Sequence, residues 1–291
     1  MSAPLSENTL DQRRFAFRAD LAAISLKGKV SAPRYAAPKP VQLRLASLPL
    51  RKRPDLALGY ESELLFGEGF DVYDEAYGWL WGQAQRDGYV GYAPAEGFAP
   101  PGLAPTHRVT ALRSFAYAGQ SMKAPPLMAL PYGAELAISS EKNGWCETAI
   151  GFVYARHLAP VTAFEADPVA EAERFLGIPY LWGGKTSLGL DCSALVQTAC
   201  RAAGILAPRD SDMQESELGE PFAPPADLAR LPRGALLFWP GHVAFSQGGG
   251  MMIHANAFHM MVVSEPIIPA LARIAAAGSQ LGSLRLLPHR A

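Results

Sequence analysis

Leu190-Asp191-Cys192-Ser193-Ala194-Leu195-Val196 sets a cysteine where a turn becomes an amphipathic helix. From Ser193 the apolar residues Leu195, Val196, Ala199, Cys200 and Ala203 recur at offsets of three and four until Gly204 supplies a stop, which predicts a helix over roughly 192–203. Asp191 is its N-cap candidate. Cys192 then occupies the first turn, where free backbone N–H groups and the positive end of the helix dipole favour a thiolate, the nucleophilic form of the side chain. Cys200 lies mid-helix on the apolar stripe and reads as a small core hydrophobe.

Upstream of this helix, Ala170 to Leu176 reads as a helix ended by Gly177, followed by the turn-rich Pro179-Tyr180-Leu181-Trp182-Gly183-Gly184. Downstream, Ala235–Trp239, Val243–Ser246, Met251–His254 and Met261–Val263 read as strands. Helices first and strands second predict an α+β domain with an antiparallel sheet. A cysteine nucleophile needs an imidazole within hydrogen-bond reach and a third group to orient that ring. Of the six histidines, His107 and His157 fall in earlier β-rich segments and His289 lies near the chain end, which leaves His242, His254 and His259. Gln247-Gly248-Gly249-Gly250 is a hairpin turn between the first two of these. Centred on Gly248, the hairpin makes His242 and His254 direct cross-strand partners, so that one ring orients the other. Asn256, on the same strand face as His254, is the alternative orienter. His259 lies past the strand and is expected to play no part. No Asp or Glu has ligand spacing beside these histidines, so neither a metal nor a cofactor is expected.

The chain has 291 residues, too many for one ordinary core, and a typical domain of ~100–150 residues implies several units. A net charge of −1 provides no electrostatic footprint for nucleic acid or for a polybasic membrane anchor. Cys146, Cys192 and Cys200 are an odd, sparse set that suggests neither a disulfide framework nor a cysteine zinc site, and this favours a reducing compartment. Met1-Ser2-Ala3-Pro4-Leu5-Ser6-Glu7-Asn8 lacks the apolar core of a signal peptide, and no later run approaches the ~20 apolar residues of a membrane span. The expectation is a cytoplasmic protein without membrane insertion.

The first 45 residues carry alternating charge (Asp11, Arg13, Arg14, Arg18, Asp20) and then Pro33, Pro38 and Pro40, which reads as a short helix and an extended strap that wraps another domain. Over 46–102 short apolar runs are broken by Gly and Asp, as in Phe70-Asp71-Val72-Tyr73, Gly78-Trp79-Leu80-Trp81 and Gly88-Tyr89-Val90-Gly91-Tyr92. Such spacing predicts a small β-barrel. A similar order returns over 103–163, where Gly144-Trp145 and Gly151-Phe152 repeat Gly78-Trp79 and Gly88-Tyr89. The strand, turn and Gly-Trp order of both copies resembles bacterial Src-homology-3-like (SH3-like) domains. The remaining segment, 164–291, contains the Cys192 helix.

Pro179-Tyr180-Leu181-Trp182-Gly183-Gly184, Leu190-Asp191-Cys192-Ser193, Gly241-His242-Val243-Ala244 and Ile253-His254-Ala255 follow one another in an order that resembles the NlpC-type cysteine peptidases of bacterial cell-wall peptides. With two β-domains ahead of it, the chain is similar to the three-domain subgroup of γ-D-glutamyl-L-diamino-acid endopeptidases. The resemblance implies a papain-like α+β fold, with Cys192 as nucleophile, His242 as base and His254 as orienting residue. It also implies a murein peptide substrate, L-Ala-γ-D-Glu-diamino acid, with a free N-terminal amine. Asp191, Ser193 and Ser211 match the family's positions for the amine pocket, and Glu68 and Tyr89, with Tyr92 as the alternative to Tyr89, are the first-barrel candidates for its other wall. Ala194 departs from the glycine usual after Asp-Cys-Ser, and an extra methyl there tightens the pocket. A papain-like amidase or acyltransferase acting on another amide would use the same residues, and an inert wall-peptide-binding protein is the reading from a different class. The preferred diamino acid and the oligomeric state are not encoded in any motif.

Overall fold

The computed structural model describes residues 10–288, so the start of the chain and His289 lie outside it. The described chain divides into two compact units, residues 10–159 and 160–288. Strands dominate both.

In the first unit one order of elements occurs twice. A meander of Gly69–Ala76, Trp79–Ala84 and Val90–Pro94 leads into a 3-10 turn, Ala95–Gly97, and a short strand, Phe98–Ala99. The second copy runs Ile138–Lys142, Trp145–Thr148 and Gly151–Tyr154 into a 3-10 turn, Ala155–His157, and Leu158–Pro160. The Gly-Trp pairs noted in the sequence have a physical cause. Each glycine is the second residue of a two-residue hairpin turn with both φ angles positive, Tyr77 (52°) and Gly78 (77°) in one copy, Asn143 (54°) and Gly144 (77°) in the other. Such turns match the right-handed twist of the strands they join. Each copy has its own core, Leu43, Leu50, Leu64, Phe70, Leu80 and Ala93 in the first and Val109, Ala116, Leu130, Leu136 and Val153 in the second.

The described residues 10–38, ahead of the first copy's sheet, form no α-helix, contrary to the reading of their charge pattern; they make short strands at Phe17–Arg18, Leu21–Ala23 and Arg34–Ala36 and one 3-10 turn. The charges pair two residues apart, Arg13 with Asp11 and Arg18 with Asp20, a separation that does not bring side chains together on a helix. Arg18 also pairs with Asp74 and lies over the Trp81 ring, while Ala16, Leu21, Leu26 and Val30 pack against Trp81.

The second unit is a six-stranded antiparallel sheet with helices. Its strand order is Glu220–Pro221, Ser283–Leu286, Ala235–Trp239, His242–Gly248, Met251–Asn256, Met261–Pro266. Among the described residues four α-helices accompany it: α1 (Pro168–Glu173), α2 (Cys192–Ala202), α3 (Ser211–Glu217) and α4 (Ile267–Ala276). The expected helix at Cys192 forms, with Ala203 as its C-cap and Gly204 following at φ 70°. It packs along the His242–Gly248 strand. On α4, Ile267 and Ala270 are fully buried against Leu237, Trp239, Ala244 and Met252. Among the described residues no helix is long and apolar enough to cross a membrane.

Candidate active site

Asp191 starts the site. Its side chain accepts the Ala194 N–H at 2.8 Å, which is the N-cap that the sequence predicts, and Cys192 is therefore the first residue of α2. Both carboxylate oxygens are also engaged elsewhere. Oδ2 accepts from the Gly183 N–H at 2.9 Å and from Arg209 Nη2 at 2.8 Å; Oδ1 accepts from Arg209 Nη1 at 3.0 Å and from Ser193 Oγ at 3.2 Å. Arg209, only 1% exposed, donates in addition to Ser193 Oγ. A carboxylate offers about four lone-pair sites, so the Asp191 expected to face a substrate ammonium is saturated by groups of its own chain. Ser211, the first residue of α3, is buried, and the same helix is tied to the first turn of α2 by Gln214, whose amide donates to the Ser193 carbonyl at 2.9 Å.

Cys192 is 6% exposed, and the backbone amides of Ser193 and Val243 donate toward it. Val243 adjoins His242, so the thiol lies at the start of the strand that carries the candidate base. Burial pushes the thiol up to about 12; the Asp191 charge adds to the rise, and the two amides and Arg209 oppose it. The helix terminus alone therefore does not produce a resting thiolate. Tyr180, from the turn-rich loop, lies close enough to feel Cys192 and Asp191, and its phenol is raised first by burial and then by those charges.

His242 and His254 meet, but not as direct partners. Gly249 and Gly250, both at positive φ (60° and 79°), form the two-residue turn, and an extra residue, Gln247, bulges between Ser246 and Gly248. The register then pairs Phe245 with Ile253, which makes His254 the diagonal neighbour of His242 rather than its opposite. The shift keeps both rings on one face, since it moves the pairing by two residues. His242 Nε2 lies 2.8 Å from His254 Nδ1. Asn256 is engaged otherwise, its Oδ1 accepting the His259 N–H at 2.8 Å. Past His254 the row continues where no motif pointed. His254 Nε2 lies 2.7 Å from Glu265 Oε1, and Arg273 of α4 holds both Glu265 oxygens at 2.6 and 2.7 Å. Extending the alternation of Met261-Val262-Val263 by two residues would have found Glu265. Arg209 gave no such signal, because its partner is 18 residues away.

Burial holds the His242 imidazole down to about 3, helped by His254 and opposed by Glu265. His254 is also lowered by burial, against the pull of Glu265. Burial would raise Glu265, but Arg273 and His254 bring it down to about 2. Unfolded histidines protonate below about pH 6.5 whereas these do not, so folding stability is full above that pH and falls as the pH drops. The Glu265 contribution is present above its ordinary value of 4.5 and is lost only below it. Urea unfolding of unit 2 should therefore lose midpoint between pH 6.5 and 4.5, and the loss should shrink in His242→Gln; an unchanged slope in that variant would contradict a buried neutral ring.

The remaining candidates belong to the first unit. Glu68 is 2% exposed and ion-paired with Arg86, which also reaches Glu135. Tyr89 is part of the first copy's core, and the Tyr92 hydroxyl accepts from Arg18 at 3.1 Å. All three cysteines are free and buried.

Residues 177–269, which hold the Cys192 helix and both strand histidines, match the NlpC/P60 family. The second unit carries an NlpC/P60 domain. Residues 50–98 match the bacterial dipeptidyl-peptidase Sh3 domain. Across 240 residues the chain is 27% identical to a protein of Bacillus cereus named gamma-D-glutamyl-L-lysine dipeptidyl-peptidase, a match that covers 71% of this chain and 70% of that one. A dipeptidyl-peptidase 6 of Lysinibacillus sphaericus is 37% identical over 102 residues, 35% of this chain, and the match spans only 36% of that relative's length. The crystal structure of an NlpC/P60 family protein from Bacillus cereus superposes with a TM-score of 0.72 over 86% of this chain and all of that one, at 20% identity, a likeness of fold.

Proposed function

We propose that the protein is a cysteine peptidase that hydrolyses the γ-D-Glu–diamino acid bond of murein peptides bearing a free N-terminal L-Ala, in the recycling of cell-wall peptides in the cytoplasm. In this reading residues 46–102 and 103–163 are both SH3-like barrels, 1–45 is an N-terminal strap whose last strand, Lys39–Leu43, joins the sheet of the first barrel, and 164–291 is papain-like. The observation that carries the proposal is the hydrogen bond between His242 and His254 at the strand whose Val243 amide faces Cys192. The relatives named dipeptidyl-peptidases supply the substrate class, and release of a dipeptide requires a pocket that counts from a free amine.

Cys192 Sγ attacks the γ-carbonyl of D-Glu as His242 takes the thiol proton, and the Cys192 backbone N–H stabilises the oxyanion. The C–N bond to the diamino acid breaks as His242 passes that proton to the leaving amine. Water, deprotonated by His242, then opens the thioester, and Cys192 recovers its proton. With the thiol raised and the imidazole lowered, the resting pair is neutral, so proton transfer accompanies attack. The proposal rests the amine contact on the wall built by Asp191, Ser193 and Ser211 rather than on Glu68 and Tyr89, whose side chains are buried in the first barrel. Because Arg209 neutralises Asp191, the contact is made by a polar wall rather than by an unpaired acid.

L-Ala-γ-D-Glu-L-Lys should be cut to L-Ala-γ-D-Glu and Lys, as read by mass spectrometry. Acetylating the alanine removes the ammonium that this wall would meet, a lost charge-assisted hydrogen bond of about 1.5–3 kcal/mol, so the acetylated peptide should be cut roughly 10- to 150-fold more slowly. Equal rates for both peptides would refute the amine pocket, and no cleavage of either would refute the peptidase reading.

A further inference from the structure

Glu265, Arg273 and the two strand histidines form one continuous row. His242, His254 and Glu265 come from three adjacent strands, each a diagonal neighbour of the one before. His254 pairs in register with Val263, so Glu265, two residues on, shares its face. Arg273 reaches Glu265 from α4, which follows that strand directly. The groups facing this row are Cys192 on α2, Asp191 behind it, His259 beyond the end of the Met251–Asn256 strand, and the Trp239 ring, 5.5 Å from His242 between ring centres.

We propose that Glu265, clamped by Arg273, is a positioning residue that fixes the proton on each ring of the histidine pair and so leaves the lone pair of His242 Nδ1 to serve as base. The inference deepens the reading of Cys192 and His242 as a peptidase pair and rests on it. The logic is one of donors and acceptors. A carboxylate held by two guanidinium N–H groups is an acceptor only, so His254 carries its proton on Nε2, at 2.7 Å from Oε1. His254 Nδ1 is then bare and accepts, which requires the proton of His242 to sit on Nε2, at 2.8 Å. Nδ1 of His242 is the nitrogen left with a lone pair. When His242 takes the thiol proton, the positive charge formed there is stabilised along the same row by Glu265. A fourth member of the apparatus, carried on the edge strand and outside the cysteine and histidine motifs, thus sets the state of the first two.

Glu265→Gln separates this role from a structural one. Glutamine keeps the shape but has one acceptor where the carboxylate has two, so a donor meets a donor at either Arg273 or His254, and the tautomers are no longer fixed. In the full chain, 15N spectra of histidine should show His254 and His242 both protonated on Nε2 in the wild type and mixed tautomers in Glu265→Gln. The rate of Cys192 alkylation by iodoacetamide and kcat should each fall by on the order of 10²-fold, with KM nearly unchanged; the corresponding carboxylate-to-amide change in a serine triad costs ~10⁴ in kcat. Arg273→Gln leaves the carboxylate in place, so it should keep the wild-type tautomers and lose less than about tenfold, as expected for a group acting one step further away. Glu265→Asp, which retains the charge, should recover most of the alkylation rate and serves if the glutamine variant does not fold. Wild-type tautomers with unchanged alkylation in Glu265→Gln would overturn the proposal, as would a wild type with Nδ1 of His242 protonated. The tautomer and alkylation readouts need no peptide. A wild type with the expected tautomers that cuts no peptide defeats the peptidase reading, and one that cuts with the wrong tautomers defeats only this inference.

Discussion

Cys192→Ala should abolish hydrolysis of L-Ala-γ-D-Glu-L-Lys, and His242→Ala should lower kcat by on the order of 10⁴ or more, while the double variant should be no slower than Cys192→Ala alone. Strong non-additivity follows from the electrostatics. Burial raises the thiol to about 12 and lowers the imidazole to about 3, so neither group is charged without the other. A thiol without its base stays a thiol, and a base without the thiol has no nucleophile to activate. Cys200→Ala supplies the control. That residue is fully buried mid-helix, with its thiol also raised to about 12 by burial alone, and it has no base beside it. Its loss should leave the rate within about twofold, as expected of a core methyl-sized change away from the chemistry. Single-turnover cleavage followed by mass spectrometry measures all four proteins, and full activity in Cys192→Ala would end the assignment.

The helix that carries Cys192 was legible because its information is local. A cap, an apolar stripe and a terminal glycine all lie within the segment from Asp191 to Gly204. The histidine pair was legible as a pair, since an even separation keeps two residues on one strand face. Its register was not, because the bulge at Gln247 depends on how Arg233 and Glu173 surround that residue: the Gln247 carbonyl accepts from Arg233 at 3.2 Å and its side chain donates to Glu173 at 2.9 Å. In the first unit the Gly-Trp repeats marked two hairpins, each fixed by two adjacent residues. The charges ahead of them suggest a helix that does not form, for the opposite reason. Arg18 is satisfied by Asp74, 56 positions away in the chain. Arg209 and Glu265 stand outside the sequence motifs of the site, because they are charged residues whose partners come from other elements, and hydrophobic periodicity does not register them.

Arg209→Met should cost unit 2 about 3–5 kcal/mol, because it leaves the Asp191 carboxylate buried without its counter-charge. For a unit of this size that is roughly a 10–25 °C fall in Tm. The guanidinium makes two contacts to the carboxylate, a third to Ser193 Oγ, and has 1% of its surface exposed, so water does not replace it. Asp191→Asn alone should cost a comparable amount: asparagine still caps α2, but the Arg209 guanidinium, with 1% of its surface exposed, is left buried without its counter-charge. The double variant Asp191→Asn/Arg209→Met removes both charges and should recover at least half of the loss, giving a coupling energy that a double-mutant cycle reads from urea midpoints. A cost below 1 kcal/mol for Arg209→Met, or a double variant as unstable as the single, would mean that the pair is solvated and contributes little. The distinction bears on function as well as on folding. If the pair is coupled as the geometry requires, Asp191 holds the Gly183 turn, the Ser193 hydroxyl and the first turn of α2 in one place, and Cys192 inherits its position from a buried ion pair.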